Sequence, residues 1–69
     1  MTPALLVRLG SLLYGPRWAA ELARGLGVSR ESVVSWAAGR YAPSAERTEA
    51  AKVLVAERIQ ALRQLQKKL

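Results

Sequence analysis

The stretch Ala20–Gly39, AELARGLGVSRESVVSWAAG, decides the fold of this 69-residue chain. Its small, apolar and polar residues follow one another in the order that two helices joined by an abrupt turn require. Ala23 falls where the helices cross closely, and a larger side chain there would push them apart. Gly27 follows Leu26 at the point where the first helix must stop and reverse, a geometry that calls for left-handed backbone, which glycine adopts without steric cost. Ser29 caps the next helix by accepting a hydrogen bond from a first-turn amide. Leu22, Leu26, Val28, Val33 and Trp36 are the apolar groups that clamp the pair together and onto the rest of the chain.

Outward from this centre the pattern stays helical. Thr2 followed by Pro3 is a helix start, with Thr as cap and Pro at a position where its missing amide costs nothing. Leu5, Leu6, Leu9, Leu12 and Leu13 then recur as one apolar stripe. Gly15 and Pro16 end that helix and open a second, expected from about Pro16 to Arg24, with Trp18, Leu22 and Ala23 turned inward. The third is expected over 29–38, with Val33, Trp36 and Ala37 to one side and Glu31, Val34, Ser35 and Ala38 to the other. A loop from Gly39 to Pro43 precedes Ser44, which caps a last helix over 44–69 with Glu46 in its first turn, where a negative charge suits the dipole. The expectation is a single all-α domain, residues 1–69, of about four helices, with the last one long.

Composition narrows the function classes. A chain this short is one domain at most, and such a domain hides only about 60% of the surface its unfolded chain exposes. The chain has no Cys, His or Asp, so disulfides and the usual zinc, iron or calcium ligands are not available, and no metal or cofactor is expected. A reducing, cytoplasmic setting fits, since no apolar run approaches the roughly 20 residues of a membrane span and the start lacks a secretion-signal pattern. Eleven Lys and Arg against five Glu leave a formal charge of +6, which favours a polyanion through counterion release. Nothing points to an enzyme: there is no glycine-rich phosphate loop, and Lys52, Lys67 and Lys68 all lie at exposed-looking positions of the last helix, where nothing marks one as a base.

Leu22, Ala23, Leu26, Gly27, Val28, Ser29, Val33, Trp36 and Gly39, with Pro43 and Ser44 beyond them, resemble the helix-turn-helix of the Cro and lambda-repressor-type DNA-binding family. The likeness runs from about Arg17 to about Leu54 and covers roughly half of the chain. It departs at Ala19, where a phosphate-contacting glutamine is common, and in lacking the usual short fifth helix, so other groups must clamp phosphate. The resemblance implies that the second helix of the motif enters the major groove of double-stranded DNA with Ser29, Arg30, Glu31, Val34 and Ser35 toward base edges. Arg30 can donate two bonds to one guanine, or touch a phosphate instead. Glu31 can accept from a cytosine amino group or hold Arg30 in place. Val34 suits a thymine methyl, or is an ordinary exposed valine. Phosphate contacts would fall to Arg17 at the start of the second helix and to Arg40 and Tyr41 after the third, with Trp18 either beside the backbone through its ring nitrogen or in the core. Arg58, Arg63, Lys67 and Lys68 read as the solvated face of a long helix.

That helix would be about 37 Å long, more than a domain of this size can cover. Ala51, Leu54, Val55, Ile59, Leu62, Leu65 and Leu69 form a continuous apolar stripe along it. Thr48, Ala51, Val55, Arg58, Leu62, Leu65 and Leu69 fit a 3,4 spacing with one charged interruption. Val55, Ile59, Leu62, Leu65 and Leu69 are therefore the candidate seam of a homodimer, the alternative being that Ile59–Leu69 folds back over the first helix. The functional expectation is a small repressor of phage, plasmid or bacterial type that binds an inverted-repeat operator as a homodimer, without a small-molecule ligand. The competing expectation is a protein-interaction module or antirepressor that docks a protein partner through the long helix, since fold does not fix function.

Overall fold

A computed structural model describes all 69 residues. Four α-helices follow in order: α1 (Pro3–Tyr14), α2 (Trp18–Leu26), α3 (Arg30–Ala37) and α4 (Ala45–Lys68), with a 3-10 turn over Gly15–Arg17. No residue lies in a strand. The starts expected at α1, α3 and α4 are found, each for the expected reason. Thr2 Oγ1 accepts from Leu5 N at 3.2 Å, Ser29 Oγ from Ser32 N at 3.1 Å, and Ser44 Oγ from Arg47 N at 3.1 Å, each satisfying a first-turn donor that has no partner inside its helix.

The second helix is displaced from its expected span. The residues Gly15–Arg17 wind as a 3-10 turn, in which Trp18 N donates to Gly15 O, and α2 proper begins only at Trp18 and runs two residues beyond Arg24. The third is shorter than 29–38 at both ends, since Ser29 is its cap and Ala38 already lies past it.

The reversal after α2 has the double bonding of a Schellman motif. Val28 N donates to Ala23 O at 3.0 Å and Gly27 N to Arg24 O at 3.3 Å, around a Gly27 at φ +69°. The same arrangement closes α3, where Arg40 N donates to Ser35 O at 3.0 Å and Gly39 N to Trp36 O at 3.1 Å. One turn sets the direction of α3; the other sends the chain toward α4.

Leu6, Leu22, Ala23, Leu26, Val33, Trp36 and Ala51 make the buried core, centred on α2 and α3. The leucine stripe of α1 divides. Leu6 is buried, Leu9 and Leu13 are half-buried, and Leu5 and Leu12 are exposed, because the face of α1 that meets α2 is centred on Leu6 and Gly10. Gly10 is buried because the indole of Trp18 rests on it: a Cβ there would lie 2.2 Å from Trp18 Cε3. Sequence periodicity carried no sign of this contact.

The last helix meets the core only along its first half. Ala51 is buried, Ala50 and Leu54 pack against the core, and two arginines tie the helix down. Arg47 Nη1 donates to Leu26 O at 2.7 Å. Arg58 Nη1 donates to Leu13 O at 2.6 Å, with its guanidinium 5.6 Å from the centre of the Tyr14 ring. Arg58 is exposed, as expected, but it also tethers the helix to the end of α1. Beyond it every residue is exposed, and the molecule extends 43 Å along its long axis. Residues 59–69 do not fold back over α1. No helix is long and apolar enough to cross a membrane.

Gly10→Ala tests the α1–α2 contact. Ala gains about 1 kcal/mol of helix propensity over Gly, but forcing a methyl group into filled space costs about 1 to 3 kcal/mol. Because the neighbour is a rigid ring rather than a flexible chain end, the expected result in urea unfolding is a net loss of stability. A stabilised variant would show that the ring does not sit there.

Candidate nucleic-acid interface

The Schellman turn at Gly27 sets α3 across α2 so that Val33 and Trp36 point into the core. The opposite face of α3 is left free. Arg30 and Glu31 are exposed on its first turn, Val34 is 40% exposed one turn on, and Ser35 is half-buried beside it. Four of the five expected base-facing residues therefore share the first two turns of one outward face. Ser29 sits at its edge with its oxygen already engaged: besides capping Ser32 N, it lies 3.0 Å from the Ser32 hydroxyl. Its role in this structure is to start the helix.

Glu31 does not hold Arg30. The chain has two ion pairs, Arg24 with Glu21 at 3.6 Å and Lys52 with Glu49 at 2.9 Å, and neither involves α3. Arg30 instead shares a cleft of about 270 Å³ with Arg17, lined also by Pro16, Ala19 and Ala20. The arginine before α2 and the arginine opening α3 thus stand on one concave surface, 13 positions apart in sequence but adjacent in space through the turn at Gly27. Ala19 and Ala20 keep that surface open, since neither side chain projects far enough to fill it. Two guanidinium groups around an open floor suit an anionic oxygen, which each can meet with paired donors.

The 3-10 turn alters one detail of the expected phosphate site. Trp18 N is bonded to Gly15 O, so the first amide of α2 is not free for a ligand, and Arg17 itself caps the helix without a side-chain bond. Trp18 is half-buried with its six-membered ring on Gly10, which makes it a packing residue between α1 and α2. Arg40 and Tyr41 are both exposed after the turn that closes α3. Tyr41 lines a shallow cleft of about 120 Å³ with Met1, Pro3, Trp36, Gly39 and Ala42, beside the start of α1. No three acidic side chains come together where they could hold a metal ion.

Arg47 is the residue of this region that sequence reasoning missed. It is half-buried, and its bond to Leu26 O crosses from α4 to the last turn of α2, next to the Gly27 reversal. The signal available in the sequence was only an arginine in the first turn of a capped helix, which by dipole alone is an unfavoured place for a positive charge. None of three comparisons, with protein-family models, with curated proteins and with solved structures, finds a match to this chain.

Arg47→Ala removes a charged donor from a half-buried carbonyl and is expected to cost about 1 to 2 kcal/mol in urea unfolding. Arg63→Ala, at an exposed position, is expected to stay within about 0.5 kcal/mol. Equal effects of the two would mean that the Arg47 bond contributes nothing to holding α4 against the turn.

Proposed function

We propose that this chain is a sequence-specific DNA-binding transcription regulator, a small repressor that reads an inverted repeat as a homodimer with α3 in the major groove. The observation that carries the reading is the exposed face of α3 together with the Arg17–Arg30 cleft at its entrance. A helix presenting Arg30, Glu31, Val34 and Ser35 offers donors, an acceptor and an apolar contact within two turns, the mixture that base edges in the major groove require. A cleft with two arginines beside it supplies a backbone anchor that sets register without reading sequence. The net charge of +6 adds the salt-dependent attraction that brings such a protein to DNA.

In this reading Arg17 and Arg40 contact phosphate. Arg30, which shares the cleft with Arg17, reaches either a phosphate or the guanine next to it. Val34 and Ser35 lie deeper in the groove, and Glu31 rejects sequences that would place no donor opposite it. Occupancy of the operator by the dimer would block polymerase, with control by protein concentration. A second reading, an interaction module that docks a protein through α4, is favoured by one feature: the distal half of α4 leaves Ile59, Leu62, Leu65 and Leu69 uncovered.

Selection of bound duplexes from a random library at near-physiological salt tests the proposal. The expected result is an enriched inverted repeat with half-sites about one helical turn apart. No enrichment would discard the DNA reading and leave the interaction module. On an enriched site, Arg17→Ala is expected to weaken binding equally across sequences and to reduce the salt slope by about 1. If Arg30→Ala behaves identically, Arg30 is a second phosphate contact; if it relaxes preference at one base pair, it is a base reader.

A further inference from the structure

The apolar surface on the α1–α4 side is larger than this domain can cover. Leu5 and Leu9, with Met1, form one wall of an open groove of about 380 Å³, and Ala51, Lys52 and Val55 form the other. The α1 stripe continues to Leu12, which is 78% exposed, and the α4 wall continues past Arg58 to Ile59 and Leu62. Leu5, Leu12, Ile59, Leu62, Leu65 and Leu69 account for six of the ten large apolar side chains left exposed in the whole chain. A monomer with so much of its apolar surface gathered on one side has a partner to bury it.

The structure also shows which part of the 3,4 pattern on α4 is available. Ala51 is buried in the domain's own core and Arg58 is bonded to Leu13 O, so the register through Ala51, Arg58 and Leu65 is closed to a partner along its first half. Turned slightly about the helix axis, Lys52, Val55, Ile59, Leu62, Gln66 and Leu69 follow at spacings of 3, 4, 3, 4 and 3, all on the side that faces the groove or continues it. We propose that this face receives a second copy of the chain in antiparallel orientation, with Ile59 at the two-fold axis, Val55 against Leu62 of the other copy, and Lys52 against its Gln66. The distal leucines of each α4 then seat in the α1–α4 groove of the other, Leu65 toward Leu5 and Leu9. One surface is used twice, as a closed two-fold interface demands.

Charge selects the antiparallel sense. All three acidic residues of α4, Glu46, Glu49 and Glu57, precede Arg58, and the remainder carries Arg58, Arg63, Lys67 and Lys68 with no acid. A parallel pair would bring two such basic ends together. The antiparallel pair separates them, opposes the helix dipoles, and places Lys67 of each copy on the flank where Glu49 of the other lies. A parallel seam restricted to residues 59–69 would also span only about 16 Å of helix and leave the groove open.

This inference rests on the homodimer in the functional reading above, and its test needs no DNA. The chain has no Cys, so disulfides can be placed at will. Lys52 and Gln66 are both exposed and lie about 21 Å apart along one helix, beyond the reach of a disulfide within a chain. After oxidation, the Lys52→Cys/Gln66→Cys double variant is expected to run at twice the chain mass under denaturing, non-reducing conditions, while either single variant stays at the mass of one chain. Covalent dimer from Gln66→Cys alone would establish a parallel pair and overturn the proposal. Absence of covalent dimer from the double variant would overturn it as well, whether light scattering of the parent gives the mass of two chains or of one. A cross-linked antiparallel dimer that enriches no duplex would uphold this interface and remove the operator reading. A monomer that enriches a single unrepeated site would overturn this interface and the two-fold operator, and keep only DNA binding by α3.

Discussion

The carboxyl end of α2 is where the rest of the molecule is fixed. A helix ends with carbonyls that have no partner inside it, and here three of them find three different ones. Ala23 O accepts from Val28 N, Arg24 O from Gly27 N, and Leu26 O from the guanidinium of Arg47. The first two bonds close the reversal and so fix the angle at which α3 leaves α2. The third reaches across to α4 and holds its first half against the same corner. One helix end therefore determines which face of α3 is buried, which is free, and where the long helix starts its course away from the domain.

That course follows from how little core the chain has. Seven buried apolar residues come mostly from α2 and α3, and α4 adds only Ala51 to them. Once Leu54 and Arg58 have met the domain, nothing remains for the next three turns of α4 to touch. Apolar side chains carried into water in a continuous row cost free energy in proportion to their area, and the row is accounted for if a partner covers it. The free face of α3 and the uncovered row along α4 thus have the same origin: a small domain buries one face of each helix and leaves the others exposed.

The basic charge of the chain is more divided than composition suggests. Arg24 and Lys52 are paired with glutamates, and Arg47 and Arg58 are bonded to main-chain carbonyls on other helices. Arg17, Arg30 and Arg40, by contrast, carry no ion pair and stand at the ends of α2 and α3. Arg8, Arg63, Lys67 and Lys68 are equally unpaired, but Arg17 and Arg30 share one cleft at the α2–α3 corner. A count of +6 describes the long-range field; it does not distinguish a tether from a contact.

Most of the helical layout was legible in the sequence because it is written in local terms. A cap bonds to an amide three residues on, and a Schellman glycine bonds within six residues, so Thr2, Ser29, Ser44 and Gly27 could be read from their neighbours alone. The outward face of α3, with Arg30, Glu31 and Val34, followed from the same arithmetic, since a helix that buries Val33 and Trp36 on one side turns the residues of its other side outward. What could not be read lies in contacts between distant positions. Gly10 beneath Trp18, Arg47 on a carbonyl 21 residues away, and Arg58 on one 45 residues away depend on the angles at which finished helices meet. The same is true of the cleft shared by Arg17 and Arg30, and of the rotation of α4 that closes the register through Ala51 and Arg58 and leaves the one through Val55 and Ile59 open. Periodicity says that a helix has an apolar side; its neighbours choose how much of that side is spent inside the domain.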